Sequence, residues 1–173
     1  MGGLRPIHAC AKIARMTTSR QIRLACAADL GAMTELYRHL NPDDPELTPT
    51  RAIATWSELL DRDGVRVFVA DIGYGPIATC TLIIVPNLTR GGRPFGFIEN
   101  VVTHAAVRGH GHGRALLDEA LNTAWRQGCY KVMLLTGRKD EAVWRFYEGA
   151  GFNRTAKTGF YVSAPTQRNS ILG

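Results

Sequence analysis

A chain of 173 residues with 45% hydrophobic content is long enough for one domain with a substantial core. No stretch approaches the roughly 18 consecutive apolar residues of a membrane span, so no membrane partner is expected. The net charge of +6 is local: residues 1–23 hold Arg5, Lys12, Arg15, Arg20 and Arg23 and no acid, while the remainder carries 16 basic and 15 acidic groups. A basic leader without clustered aromatic residues is a poor footprint for nucleic acid, and none is expected as a partner.

Residues 1–19 read as a flexible N-terminal extension. Met16 offers a second translation start, and a basic targeting leader is the alternative reading. Gln21 to Leu24 is a short first strand. Asp29 is placed as the N-cap of a helix that sets Leu30, Met33, Tyr37 and Leu40 on one face. Two prolines and three acids in residues 41–46 make a loop. Thr48 then caps a second helix with Pro49 at its first position. That helix presents Ile53, Trp56 and Leu60 and ends near Gly64.

Val65 to Asp71 and Ile77 to Val85 read as strands joined by a turn at Gly73 to Pro76. A long turn over residues 86–94 leads to a third strand, Phe95 to Thr103, and the three form an antiparallel meander. A third helix runs from about Gly113 to Gln127, with Leu116, Leu117, Ala120, Leu121 and Ala124 facing inward, and Gly128 closes it. Tyr130 to Thr136 is a strand parallel to its predecessor, reached by a crossover. A fourth helix spans about Asp140 to Gly149. A last strand pair is expected at Phe152 to Thr155 and Gly159 to Val162. The fold class is therefore α/β: a mixed, mostly antiparallel sheet flanked by about four helices. The domain runs over residues 20–165, with 166–173 a C-terminal tail.

The chain is organised around the junction of the third strand and the third helix. Gly109, Gly111 and Gly113 alternate with polar residues and run straight into a helix. The unpaired N–H groups and positive dipole end of that helix form an anion site, with Arg108 and Arg114 at its rim. The spacing is neither the G-x-G-x-x-G of a dinucleotide turn nor the G-K-[ST] ending of a P-loop. The pattern R-x-x-G-x-G, from Arg108 through Gly111 to Gly113, resembles the acyl-CoA pyrophosphate loop of the GNAT N-acetyltransferase superfamily. A second segment, Phe146-Tyr147-Glu148-Gly149-Ala150-Gly151-Phe152, resembles that superfamily's F-Y-x-x-x-G-F. The resemblance covers roughly residues 20–163.

The resemblance implies a single-domain GNAT fold and transfer of an acetyl group from acetyl-CoA to a primary amine, by direct attack in a ternary complex. It implies that the pantetheine arm pairs with the strand edge at Val101, Val102 and Thr103. The pyrophosphate would rest on Arg108, Gly109, His110, Gly111, His112, Gly113 and Arg114. Glu99 would take the proton from the amine, and the hydroxyl of Tyr147 would protonate the departing thiolate. Where many members carry asparagine seven residues before the tyrosine, this chain has Asp140, which cannot donate a hydrogen bond when ionised.

An acyl-CoA-binding regulatory module without turnover is the alternative function. His110 and His112, with His104 nearby, invite a metal reading. No carboxylate or cysteine completes their ligand set, and no metal is expected. Cys10, Cys26, Cys80 and Cys129 form no C-x-x-C and read as reduced thiols of a cytoplasmic protein.

The resemblance implies a small-molecule or peptide amine as acceptor. Residues 24–64 hold eight acids against three arginines, which suits a cationic amine. Arg90 and Arg93 suit a phosphate or carboxylate on the acceptor instead. Members often dimerise, so a homodimer is possible, with residues 86–94 contributing.

Overall fold

A computed structural model describes residues 20–164; the expected N-terminal extension and C-terminal tail lie outside the described residues. The described residues fall into two compact units, ending and beginning at Thr136 and Gly137.

The first unit holds a five-stranded sheet in the order β1 (Gln21–Leu24), β2 (Val65–Asp71), β3 (Pro76–Val85), β4 (Phe95–Thr103), β5 (Val132–Leu134). The first four strands pair antiparallel, and β5 lies parallel to β4. This is the mixed, mostly antiparallel sheet that the strand spacing predicts.

Helices α1 (Leu30–Leu40) and α2 (Pro49–Asp61) follow β1. The core here is Met33, Leu36, Trp56, Val67, Val69 and Val102, with Leu30, Tyr37 and Leu40 packed against it. Helix α3 (His112–Arg126) packs on β3, β2 and β4 and buries Leu116, Leu117, Ala120 and Ala124. Val67 and Val69 belong to the α1 cluster, while their neighbours Phe68 and Ala70 are also buried. Alternation along a strand places these two pairs on opposite faces, so the sheet is covered on both sides. Burying each large aliphatic side chain contributes about 1.5–3 kcal/mol.

Asp29 is not the side-chain cap expected of it. It ends a short 3-10 turn, and its carboxylate reaches back to accept from the backbone N–H of Cys26 at 2.8 Å. It also pairs with Arg23, whose guanidinium bridges Asp29 at 2.7 Å and Asp71 at 2.8 Å. One arginine thus ties β1 to the end of β2 and to the entry of α1. The Arg23 guanidinium holds the Asp29 carboxyl below the usual carboxylate range, against its own burial. Burial would raise Asp71, but Arg23 and the N–H groups of Gly73 and Gly75 outweigh it and lower that carboxyl too. Thr48 does cap α2, accepting from Arg51 N–H at 3.3 Å with Pro49 at the first helical position.

The second unit contains helix α4 (Glu141–Gly149). The strand pair expected at 152–155 and 159–162 does not form. The side-chain oxygen of Asn153 accepts from both the N–H and the hydroxyl of Thr155 at 2.9 Å. That local turn captures a donor that a ladder would need. Phe160, Tyr161 and Val162 are 84–93% exposed and have no strand beside them among the described residues.

Candidate active site

The site begins where β4 changes its habits. Thr81 faces Glu99 across β3–β4, yet Thr79 faces Val102. Two steps on β3 therefore oppose three on β4, which is a β-bulge. Its mark is Asn100 at φ +53, a left-handed conformation rare outside glycine. Beyond the bulge, β4 also loses its outer neighbour. The pairing with β5 covers Gly96, Phe97 and Ile98 and stops there. From Glu99 to Thr103 the edge of β4 that faces away from β3 has no strand against it among the described residues. Such an edge presents unpaired N–H and C=O groups to an extended ligand.

Glu99 is half-buried on this segment, and its carboxylate has no hydrogen bond or ion pair among the described residues. A carboxylate so placed is free to accept a proton or a donor from a ligand. Beside it, on the face covered by α1, the hydroxyl oxygens of Tyr37 and Thr81 are buried and neither meets hydrogen-bond geometry. Burial raises the Tyr37 phenol, with the Thr81 hydroxyl acting against it. Composition and spacing gave no sign of these two hydroxyls; only the α1-to-sheet packing places them.

After Thr103 the chain makes a 3-10 turn, Ala105–Val107, capped by His104, whose Nδ1 accepts from the N–H of Ala106 at 3.2 Å. Arg108 folds back, and its Nε donates to the carbonyl of Thr103 at 3.1 Å. His110 Nδ1 lies 2.9 Å from the Arg108 carbonyl and 3.3 Å from that of Val107. Since carbonyls only accept, that nitrogen carries the ring proton. Gly109 and Gly111 adopt φ of +80 and +75, and Gly111 is the N-cap of α3 with no side chain capping the helix. The first-turn N–H groups therefore point outward with no side-chain acceptor on them, and the dipole adds positive potential. Among the predicted cofactor residues, Gly113 is buried, His112 half-buried, and Arg108, Gly109, His110, Gly111 and Arg114 exposed. Arg114 also pairs with Asp118 at 2.8 Å. His112 has its Nδ1 buried without a hydrogen bond, and burial, with Arg20 and His110, lowers its pKa.

His104 does not join His110 and His112. Its ring meets His39 edge-on, with centroids 4.5 Å apart, while His110 and His112 stack on each other at 6.2 Å. Arg93 is also placed differently from expectation. Its Nε and Nη2 donate to the carbonyls of Gly128 and Cys129, both at 3.2 Å, so it clamps the β3–β4 loop to the approach of β5. Arg90 sits over the Tyr130 ring at 5.9 Å. Cys26, Cys80 and Cys129 are free thiols; burial pushes Cys80 up to about 12, which disqualifies it as a nucleophile near neutral pH.

In the second unit, Asp140 is the N-cap of α4 and accepts from Val143 N–H at 2.9 Å. One carboxylate oxygen of Asp140 is thus engaged by the helix. Tyr147 is half-buried and its ring lies against Phe146 at 5.0 Å and edge-on to Phe152 at 6.2 Å. Gly151, at φ +93, turns the chain out of the helix.

A bulged, half-open strand that runs into an uncapped glycine-rich helix start offers a pairing edge and an anion site to one extended ligand. The sequence profile of the Acetyltransferase (GNAT) family matches residues 32–152. A glucosamine 6-phosphate N-acetyltransferase from Trypanosoma brucei brucei is 34% identical over 134 residues, 76% of this chain and 88% of the relative. Glucosamine 6-phosphate N-acetyltransferase 1 from Oryza sativa subsp. japonica is 32% identical over 136 residues, 73% of this chain and 76% of the relative. A solved structure from Agrobacterium tumefaciens, named provisionally as an acetyltransferase, is 51% identical. It covers 83% of this chain and 99% of its own, with a TM-score of 0.80. The chain belongs to the GNAT acetyltransferase family, and it is an N-acetyltransferase. Among the described residues no helix is long and apolar enough to cross a membrane.

Proposed function

We propose that this enzyme acetylates the amino group of an amino-sugar phosphate of the glucosamine 6-phosphate type, using acetyl-CoA. The observation that carries the site is the open edge of β4 from Glu99 to Thr103, set directly before the uncapped start of α3. Backbone groups of Val101, Val102 and Thr103 pair with the pantetheine arm as an added strand would. The N–H groups from Gly109 to Arg114 hold the pyrophosphate, with Arg108 and Arg114 supplying charge. Two curated relatives named for glucosamine 6-phosphate support the acceptor class.

Glu99 takes the proton from the substrate ammonium as its nitrogen bonds to the thioester carbonyl carbon. N–H groups of the β4 edge stabilise the oxyanion. The C–S bond then breaks, the Tyr147 hydroxyl gives a proton to the thiolate, and the second proton shed by the acylated nitrogen restores the phenol, while the first leaves Glu99 for solvent. The acyl group passes directly, because no cysteine lies in either motif and Cys80 is held protonated. The reaction takes place in the cytoplasm, and a dimer would use residues 86–94.

The test is thiol release from acetyl-CoA across glucosamine 6-phosphate, glucosamine, polyamines, aminoglycosides, amino acids and peptides. Turnover with kcat/KM on glucosamine 6-phosphate at least about 100-fold above the other amines supports the acceptor; discrimination of that order is what hydrogen-bonded recognition of a polar group supplies. A better rate on any other class would replace it.

A further inference from the structure

Glu35 and His39 stand one helical turn apart on α1, on the same face. Packing of α1 against β3 and β4 brings that face to His104, the residue that follows β4. The three side chains each present one ligating atom, and these atoms all lie within 4.8 Å of one another. The His104 Nε2 is 4.0 Å from Glu35 Oε1, too long for a hydrogen bond. The rings of His39 and His104 meet at 4.5 Å with an interplanar angle of 76°. Among the described residues neither the His39 nor the Glu35 side chain makes a hydrogen bond. Three donors thus converge without satisfying one another.

We propose that Glu35, His39 and His104 form a binding site for a divalent transition metal of the zinc class. Two imidazoles and a carboxylate are a borderline-soft set that favours Zn²⁺ over Mg²⁺ or Ca²⁺. Tetrahedral zinc at the usual bond lengths sets its ligands roughly 3.3 Å apart, so the donors close by a small movement. The Glu35 side chain is 45% exposed and that of His104 31%, which leaves both room to move and a route for the ion. Water fills the fourth position.

The metal-free state has its own signature. Nδ1 of His104 accepts from Ala106 N–H, so in the neutral ring Nε2 holds the proton. Loading Nε2 with metal moves the ring proton to Nδ1 and opens the bond to Ala106. The ion then ties α1 to the end of β4 while it loosens the first residue pair of the following turn.

The experiment uses untagged full-length protein, titrated with ZnCl₂ by calorimetry and with CoCl₂ by absorption. The expected result is one equivalent bound, a tetrahedral Co²⁺ spectrum, and a shift of the Ala106 amide resonance. His39→Ala, His104→Ala and Glu35→Gln should each weaken binding by about tenfold or more, with unchanged circular dichroism. MgCl₂ and CaCl₂ should give no heat. Absence of stoichiometric zinc binding would overturn the proposal. So would binding that survives His39→Ala and disappears in the His110→Ala, His112→Ala double variant.

Discussion

Arg108 donates its Nε to the carbonyl of Thr103 at 3.1 Å, closing the glycine-rich loop onto the end of β4. The arginine fixes where the loop leaves the strand, and in the proposed function its terminal nitrogens take a phosphate. Arg108→Ala is expected to raise the KM for acetyl-CoA about ten- to hundredfold, the range for charged hydrogen bonds, with a smaller change in kcat. Arg108→Lys should restore little, because lysine has no Nε–H in a planar fork. Steady-state kinetics at two salt concentrations check both, since the phosphate term weakens with ionic strength.

Glu99 is half-buried and its carboxylate has no protein partner among the described residues, so in the proposed function its removal should cost little stability and much rate. Glu99→Gln keeps the shape and removes the proposed base. The expected loss in kcat is about 10²–10⁴-fold, with acetyl-CoA affinity within about twofold of wild type. Tyr147→Phe should also lower kcat with cofactor affinity retained. If Glu99→Gln turns over normally, the carboxylate is a passive strand residue.

Gly111 holds φ at +75 where α3 begins, and a Cβ added there would meet only an Arg20 nitrogen at 3.8 Å. Space is therefore not the obstacle; backbone conformation is. Gly111→Ala is expected to cost roughly 1–2 kcal/mol, the left-handed penalty for an L-residue. It should also weaken acetyl-CoA binding by re-aiming the first N–H groups of the helix. Thermal melts with and without acetyl-CoA separate the two effects, because ligand stabilisation should shrink along with the baseline.

The Arg23–Asp29–Asp71 network should make the protein acid-sensitive. Both carboxyls are lowered in the folded state, so the unfolded chain binds protons more readily as the pH falls. Their contribution is fully present above the ordinary aspartate value of about 3.9 and is lost as the pH drops through the lowered native values. Asp29→Asn should destabilise by roughly 1.5–3 kcal/mol at pH 7, as for a lost hydrogen bond to a charged group, with a smaller loss on acidification than wild type. Urea melts at pH 7, 5 and 3.5 measure this.

Local chemistry was legible in the residues themselves. The alternation of Val65 to Asp71, the apolar spacing of α1 and α3, and Pro49 after Thr48 each commit a short segment, because period and capping act within a few residues. The glycine-rich turn into α3 was legible for the same reason: backbone freedom at a helix start is written in adjacent positions. The expected strands at 152–155 and 159–162 failed on the same local scale, where the Asn153 side chain competed with pairing.

What the tertiary structure alone decided is relational. The sequence of β4 contains nothing that announces a left-handed Asn100, since a bulge is a mismatch of register with β3. Nor does it announce the end of pairing at Ile98, which depends on where β5 lies. His104 sits six residues before His110 in the chain, yet it meets His39 of α1, because helix packing on the sheet sets its neighbours. Spacing along the chain specifies elements; the register between strands and the packing of helices across the sheet specify which side chains share a site.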